Sequence, residues 1–378
     1  MTTRSVALDA LRGFALFGII LVNAPFFSQS LWAEPAIGGL ADLLALWFTH
    51  AFATGKFFLI FSFLFGFGFA SMLARAEADG LSPRGRILRR LLGLFAFGAL
   101  HAVFLFFGDI LMLYALLGLP LWLCQAWPVR RLLTLSGVLM AVAILCQTAA
   151  LLAAMDPARS APPPLAGAGY LGGFLDGAAQ RVAELPDALA FGLLFNGPAA
   201  MAMFLAGLAL SRMRAMPPDP APLRRPARVA LAIGGIGSGT LMALALTADA
   251  GSQGGAAAWV VTAALCALAP VLSFGMAATV LDLAQRYRES HVVRLLATAG
   301  SATLTGYILH SVLLGAVFNG WGLGLYGTLG PAASLGIGVL VFLAVVIAIG
   351  LWKRHFRYGP EEWLLRSFVD LKWKKMRR

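Results

Sequence analysis

The stretch RILRRLLGLFAFGALHAVFLFFGDILMLYALLGL, residues 86–119, runs apolar for about one bilayer thickness, breaks at Gly108-Asp109 and runs apolar again. Four arginines, Arg84, Arg86, Arg89 and Arg90, stand at its start, and Arg130-Arg131 follow its end. Positive side chains collect on the cytoplasmic side of a membrane, so the stretch reads as a transmembrane hairpin with its tip on the far side. Between its ends the ionisable groups are His101, Asp109 and Tyr114. An imidazole in the outer half of one helix and a carboxylate at the tip are costly in lipid unless they face protein or water. Chemistry is therefore sought here first.

The rest of the chain agrees with a membrane setting. Of 378 residues, 60% are hydrophobic and only 12% charged, against roughly 25% charged in ordinary globular domains. Several apolar runs exceed the ~18 residues that mark a spanning helix. The net charge of +12 does not point to nucleic acid, because the basic groups sit between spans rather than on one domain. Cys124, Cys146 and Cys266 all fall in predicted spans, so no disulfide framework is implied.

Taken in order, the predicted spans are Leu11–Phe27, Phe52–Ala74, Ile87–Phe107, Ile110–Ala126, Leu132–Ala154, Ala188–Leu210, Val229–Thr247, Ala257–Ala284, Leu295–Phe318 and Ala332–Trp352. The first is read as an uncleaved helix, since Asp9 and Arg12 lie at its start. The expected fold is a single all-α domain over 1–378, a polytopic bundle of about ten transmembrane helices with cytoplasmic N- and C-termini. Residues 155–187, with a weakly amphipathic piece near Tyr170–Glu184, are expected as an extracytoplasmic loop. Residues 212–228 form a cytoplasmic basic link and 353–378 a cytoplasmic basic tail. All 29 Lys+Arg except Lys56, Arg159 and Arg181 then lie on the cytoplasmic side. The 42 glycines, as in GFGF and GGIGSG, read as devices for close helix contact.

Polar groups inside the spans share a depth. Asn23 lies eleven residues past Arg12, about 16 Å up the first span. Lys56 opens the second span from the outside, and His101 and Asp109 lie at the hairpin tip. Asn196, Tyr307, His310 and Asn319 sit in the outer parts of later spans. Convergence on one outward-facing cavity is expected. The plainer readings are a helix cap for Asp109, snorkelling for Lys56 and interhelical glue for Asn23 and Asn196. At the cytoplasmic face Asp9 and Arg12 are spaced to pair on one helix. Arg354, Arg357, Glu361, Glu362 and Arg366 crowd the end of the last span. They read as an ion-pair belt or, alternatively, as a site for an anionic cytosolic cofactor. No phosphate loop, paired cysteines, HExxH or nucleophile elbow occurs, and the five histidines are too dispersed to argue a metal site.

Seven motifs, LDALRG (8–13) with LVN (21–23), GKFFLIFSFLFGFGF (55–69), HAVFLFFGDILMLYALLGL (101–119), GSATLTGYILHS (300–311), the GLGLYG that follows (322–327) and RYGPEEWLLRS (357–367), resemble the YeiB-type family of bacterial inner-membrane proteins. Residues 130–290 contribute hydropathy alone. The first-helix signature, carried at Asp9, Arg12, Gly13, Val22 and Asn23, is distantly similar to transmembrane acyltransferases of the heparan glucosaminide N-acetyltransferase group. That group has a functional histidine shortly after its Asn-bearing helix. Here the candidate before the second span is His50, much further on, and His310 stands where the family often shows Gln.

The resemblance implies a bacterial inner (plasma) membrane protein, with the lipid bilayer as its first partner. The leading expectation is an acyltransferase passing an acyl group from a cytosolic donor, such as acyl-CoA, to an extracytoplasmic glycan or lipid acceptor. His101 would be general base or acyl carrier, Asp109 would orient it, and Lys56 would steady an oxyanion. Asn23, Asn196, Tyr307, His310 and Asn319 would bind substrate, while Asp9 and Arg12 would shape the donor entrance. The alternatives are a transporter or flippase of a small or lipidic solute, using the same groups as a relay, and a non-catalytic membrane scaffold.

Overall fold

The computed structural model describes residues 3–30, 36–78, 83–154, 167–213, 221–247 and 256–378. It is all-α, and among the described residues the only β pairing is an isolated bridge between Phe356 and Arg377. In chain order the helices are α1 (Thr3–Ser28), α2 (Leu40–Phe48), α3 (Lys56–Ala78), α4 (Pro83–Phe104), α5 (Leu111–Leu123), α6 (Val129–Ala154) and α7 (Phe174–Phe191). They continue with α8 (Gly197–Arg212), α9 (Arg224–Thr247), α10 (Ala256–Arg286), α11 (His291–Gly300), α12 (Thr303–Phe318), α13 (Pro331–His355) and α14 (Pro360–Asp370). Single π-helical turns, Thr49–Ala53 and Gly192–Asn196, join α2 to α3 and α7 to α8. Among the described residues, eight helical stretches are long and apolar enough to cross a membrane. A bent pair and the shorter Leu111–Ala126 accompany them, so the chain is a polytopic membrane bundle.

Helix α1 is its axis. It touches α3, α10, α11, α12 and α13, and it buries small and branched side chains, Ala10, Leu11, Ala15, Leu16, Ile20 and Ala24, on several faces. One apolar core forms around α1, α12 and α13, and a second around α3, α4, α5 and α8. Ile110 packs against both. The hairpin is present as α4 and α5.

Three spans differ from their predicted course: the one expected to begin at Phe52 starts at Leu40, with α2 and a π turn ahead of α3. The one expected to begin at Ala188 is helical from Phe174 and runs, through a π turn, to Arg212. The amphipathic segment expected in a loop is thus α7. Of that loop, residues 155–166 lie outside the described residues. The span expected as continuous over Leu295–Phe318 is broken, with α11 and α12 meeting at 90°. The cause is local: Ala302 takes φ −144°, ψ 57°, outside the helical region, and Glu362 accepts from the backbone N–H groups of Leu304 and Thr305. A carboxylate at a freshly opened helix N-terminus satisfies orphan donors and complements the helix dipole.

The end of the bundle holding both chain termini is knit by charge. Arg12 binds Asp9 at 2.7 Å, and Asp9 is in electrostatic reach of Lys353 and Arg366. Arg86 and Lys374 both bind Asp370. The expected belt of Arg354, Arg357, Glu361, Glu362 and Arg366 takes a different form. Glu361 and Glu362 turn to Thr305, and Arg366 lies over the Tyr358 ring.

Burial pushes the Glu362 carboxyl above its ordinary 4.5, against the hydrogen bonds from Thr305 and Leu304 that pull it down. The folded state therefore holds this proton more tightly than the unfolded one. The stability it contributes is complete below pH 4.5 and is lost as pH rises through the folded value. Asp370 titrates in another window: burial raises it, but Lys374 and Arg86 outweigh that and hold it below 3.8. Thermal unfolding in detergent from pH 4 to 8 should thus show a decline that Glu362→Gln flattens. An unchanged slope in the variant would assign the decline to other groups.

Candidate functional site

The site is built from the tip of the hairpin. Helix α4 ends one turn after His101, and the backbone folds back there, with the N–H groups of Leu105 and Phe106 both donating to His101 O. Asp109 follows in the connecting turn. Its two carboxylate oxygens divide their work: Oδ1 accepts from Met112 N at 2.8 Å, capping α5, and Oδ2 meets His101 Nδ1 at 2.8 Å. The capping role and the pairing with His101 are thus both filled by one side chain. Gly98 makes room, because a Cβ there would lie 2.6 Å from Asp109 Oδ1.

A carboxylate can only accept, so in the neutral imidazole its bond to Nδ1 keeps the proton on that nitrogen and leaves Nε2 with a lone pair. That lone pair faces Ser311 Oγ on α12, 2.8 Å away. Ser311 is followed in the chain of contacts by His310 Nε2 at 3.4 Å, and His310 Nε2 by Asn23 Nδ2 at 3.2 Å. Tyr307, one turn before Ser311 on α12, lies against the His101 ring at 4.7 Å and accepts from Ile110 N through its hydroxyl. Asp109, His101 and Ser311 therefore form one hydrogen-bonded chain across the α4–α5 turn, α4 and α12, and the Asn23–His310 pair of α1 and α12 lies against its end, where the two cores meet. His101 is 2% exposed and Ser311 and His310 0%.

Not every predicted residue joins it. Lys56 is buried elsewhere, donating to His50 O at 3.0 Å inside the π turn, with Ser273 bonded to its own carbonyl. Asn196 is half-buried at the junction between the second π turn and α8, with no hydrogen bond tying it to His101. Both were grouped with the others by depth; packing turns them to a different side. Asn319 caps the end of α12 at the chamber described below, and with its side-chain amide turned over its oxygen accepts from Trp321 Nε1 and from Arg181 Nη2. Asp9 and Arg12 pair at the terminus end of α1, fourteen residues below Asn23, or about 21 Å along the helix.

Two residues not singled out from the sequence enter. Ser311 stands one position past His310 and one turn past Tyr307, and that i, i+4 spacing was the signal available. Arg181 is fully buried on α7, donating to Phe104 O at 3.2 Å and lying over the Tyr170 ring. A small chamber of about 10 Å³ is bounded by Phe26, Phe27, Phe106, Tyr170, Arg181 and Asn319, room for roughly one water. Phe106, stacked on Phe27 and edge-on to His101, separates this chamber from the imidazole. A cavity of about 630 Å³, an apolar trough between α4 and α14, does not include the cluster. Among the described residues no three His, Cys, Asp or Glu side chains converge as metal ligands.

Comparison with known proteins identifies the chain by relationship. The model of the family described as "Protein of unknown function (DUF418)" matches residues 210–372. The chain is 30% identical over 397 residues to "Uncharacterized protein YxaH" of Bacillus subtilis (strain 168), covering 97% of this chain and 94% of that protein. It is 28% identical over 382 residues to "Uncharacterized protein YeiB" of Escherichia coli (strain K12), covering 97% of this chain and 96% of that one. A 112-residue segment is 44% identical to the "Uncharacterized 39.9 kDa protein in amylase 3'region" of Bacillus acidopullulyticus, covering 30% of this chain and 31% of that one. With an all-α membrane bundle and near full-length relatives of this kind, the chain belongs to the DUF418 family of YeiB-type proteins.

Proposed function

We propose that the protein is a membrane-bound acyltransferase of the bacterial inner membrane. It takes an acyl group from a cytosolic donor such as acyl-CoA and delivers it to a glycan or lipid hydroxyl on the opposite face. The observation that carries this reading is the Asp109–His101 pair with its Nε2 lone pair aimed at a hydroxyl. Acyl transfer to oxygen needs such a base, held in one tautomer by a third group. Asn23, the residue of the acyltransferase-like signature, is bonded to His310, which lies against Ser311. Tyr307 and His310 pack the base, and Asn319 with Arg181 borders the chamber next to it. Asp9 and Arg12 lie at the donor entrance, so the acyl group must be carried about 21 Å inward. A long, slender donor suits that distance. Lys56 and Asn196 have no part in this step.

The second reading, a transporter or flippase using these groups as a proton relay, draws on their burial: His101, Ser311 and His310 lie side by side, shielded from solvent. Glycan and lipid profiling of a deletion strain separates the two. A missing acylated species is the expected result; accumulation of an unmodified solute with every acylated species intact overturns acyl transfer.

The orientation belongs to the proposal, with the basic terminus end cytoplasmic. In a variant lacking Cys124, Cys146 and Cys266, Leu323→Cys and Trp373→Cys occupy well exposed positions at 71% and 74%. A membrane-impermeant maleimide should label position 323 in intact cells and position 373 only after permeabilisation. The reverse pattern rejects the orientation.

A further inference from the structure

We infer that Ser311 carries the acyl group covalently between donor and acceptor, an inference that rests on the acyl-transfer reading above. Serine and threonine in membrane helices ordinarily return their hydroxyl hydrogen to the carbonyl four residues back. In this bundle Ser62, Thr148 and Ser273 do so at 2.9, 2.7 and 2.7 Å. Ser311 departs from them: its distance to Tyr307 O is 3.4 Å, while His101 Nε2 lies at 2.8 Å. Its hydrogen is thus directed at the one lone pair of the base. A neutral imidazole has no other acceptor site, so an acceptor hydroxyl could be activated directly only by displacing Ser311. A nucleophile bonded to a base, and the base bonded to a carboxylate, is the arrangement that covalent acyl transfer requires.

The step balances without any further reagent. Ser311 Oγ attacks the carbonyl carbon of an acyl thioester while its proton passes to His101 Nε2. The C–S bond breaks as the ester C–O bond forms, and the thiolate leaves with the proton returned from Nε2. In the second half the acceptor hydroxyl gives its proton to Nε2 and attacks the ester, and Ser311 Oγ leaves and recovers that proton. Asp109 stabilises the imidazolium in both halves. Asn23 holds an amide donor on His310 next to Ser311, a donor available to steady the oxyanion.

The test uses the full-length protein in nanodiscs with a fluorophosphonate probe, and separately with acetyl-CoA and palmitoyl-CoA. Peptide mass mapping reads the adduct, and release of CoA thiol reads turnover. The expected result is a fluorophosphonate adduct on Ser311, absent in Ser311→Ala and at least tenfold weaker in His101→Gln. Release of CoA should fall about 100-fold or more in both variants. Ser311→Cys should restore acyl labelling, as a thioester. An unlabelled Ser311, or equal labelling with the base removed, overturns the inference. Turnover retained in Ser311→Ala but lost in His101→Gln removes the covalent step and leaves direct transfer standing. Turnover retained in both variants, or absent from the wild type, removes the acyl-transfer reading itself.

Discussion

Replacing His101 by Gln is expected to lower acyl transfer by roughly 10²–10⁴-fold, the usual worth of a positioned general base. Gln is the informative variant. Ala would leave Asp109, 2% exposed in its side chain, as a buried carboxylate without its partner, and a lost partner of that kind costs about 3–5 kcal/mol of stability. Asp109→Asn should be nearly as severe in rate, because an amide N–H facing Nδ1 pushes the proton to Nε2 and removes the lone pair from Ser311. It should spare Met112 N, since the Asn oxygen can still accept there. Size-exclusion profiles alongside turnover separate loss of chemistry from loss of fold. Full turnover in either variant would remove His101 from the mechanism.

Gly13→Val is expected to abolish correct folding, at a cost of about 3 kcal/mol or more. A Cβ at Gly13 would lie 1.9 Å from Leu296 O, and the reciprocal position, Gly300, would place one 1.7 Å from Asp9 O. Both obstacles are backbone, so neither can rotate aside. The α1–α11 crossing is thus a backbone-on-backbone contact of the kind that small residues permit in lipid. Gly137→Ala, where a Cβ meets nothing within 4 Å, serves as the control and should be neutral or stabilising by up to ~1 kcal/mol. Monodisperse yield and thermal unfolding in detergent check both. Wild-type behaviour in Gly13→Val would show that α1 and α11 are free to part. The glycine of the LDALRG motif is on this account a packing residue, although its neighbours Asp9 and Arg12 carry charge.

The hairpin was legible because its signal is local: two apolar runs, a Gly-Asp break and arginines outside. His101 and Asp109, eight residues apart, are brought together by that same break. Depth could be read too, since residue count along a helix converts directly to height; Tyr307 packs on His101 and Asn23 reaches His310. Azimuth could not. Whether Lys56 or Asn196 turns toward α4 depends on how α3 and α8 pack, and those two helices bind each other closely through Gly66 and Gly207. Ser311 escaped notice for a related reason, because a lone serine in an apolar helix ordinarily satisfies itself. The break at Ser301–Ala302 depends on a carboxylate from Glu362, about sixty residues away in sequence. No window around residue 301 contains that information.

Helices α5 and α12, which flank the tip of the hairpin, have 13 and 16 residues, or about 20 and 24 Å, against a hydrocarbon slab of about 30 Å. Lipids beside them must compress or tilt to match. On the acyl-transfer reading, a bilayer thinned beside these short helices would bring an acceptor headgroup nearer the imidazole, sparing it a passage to mid-bilayer.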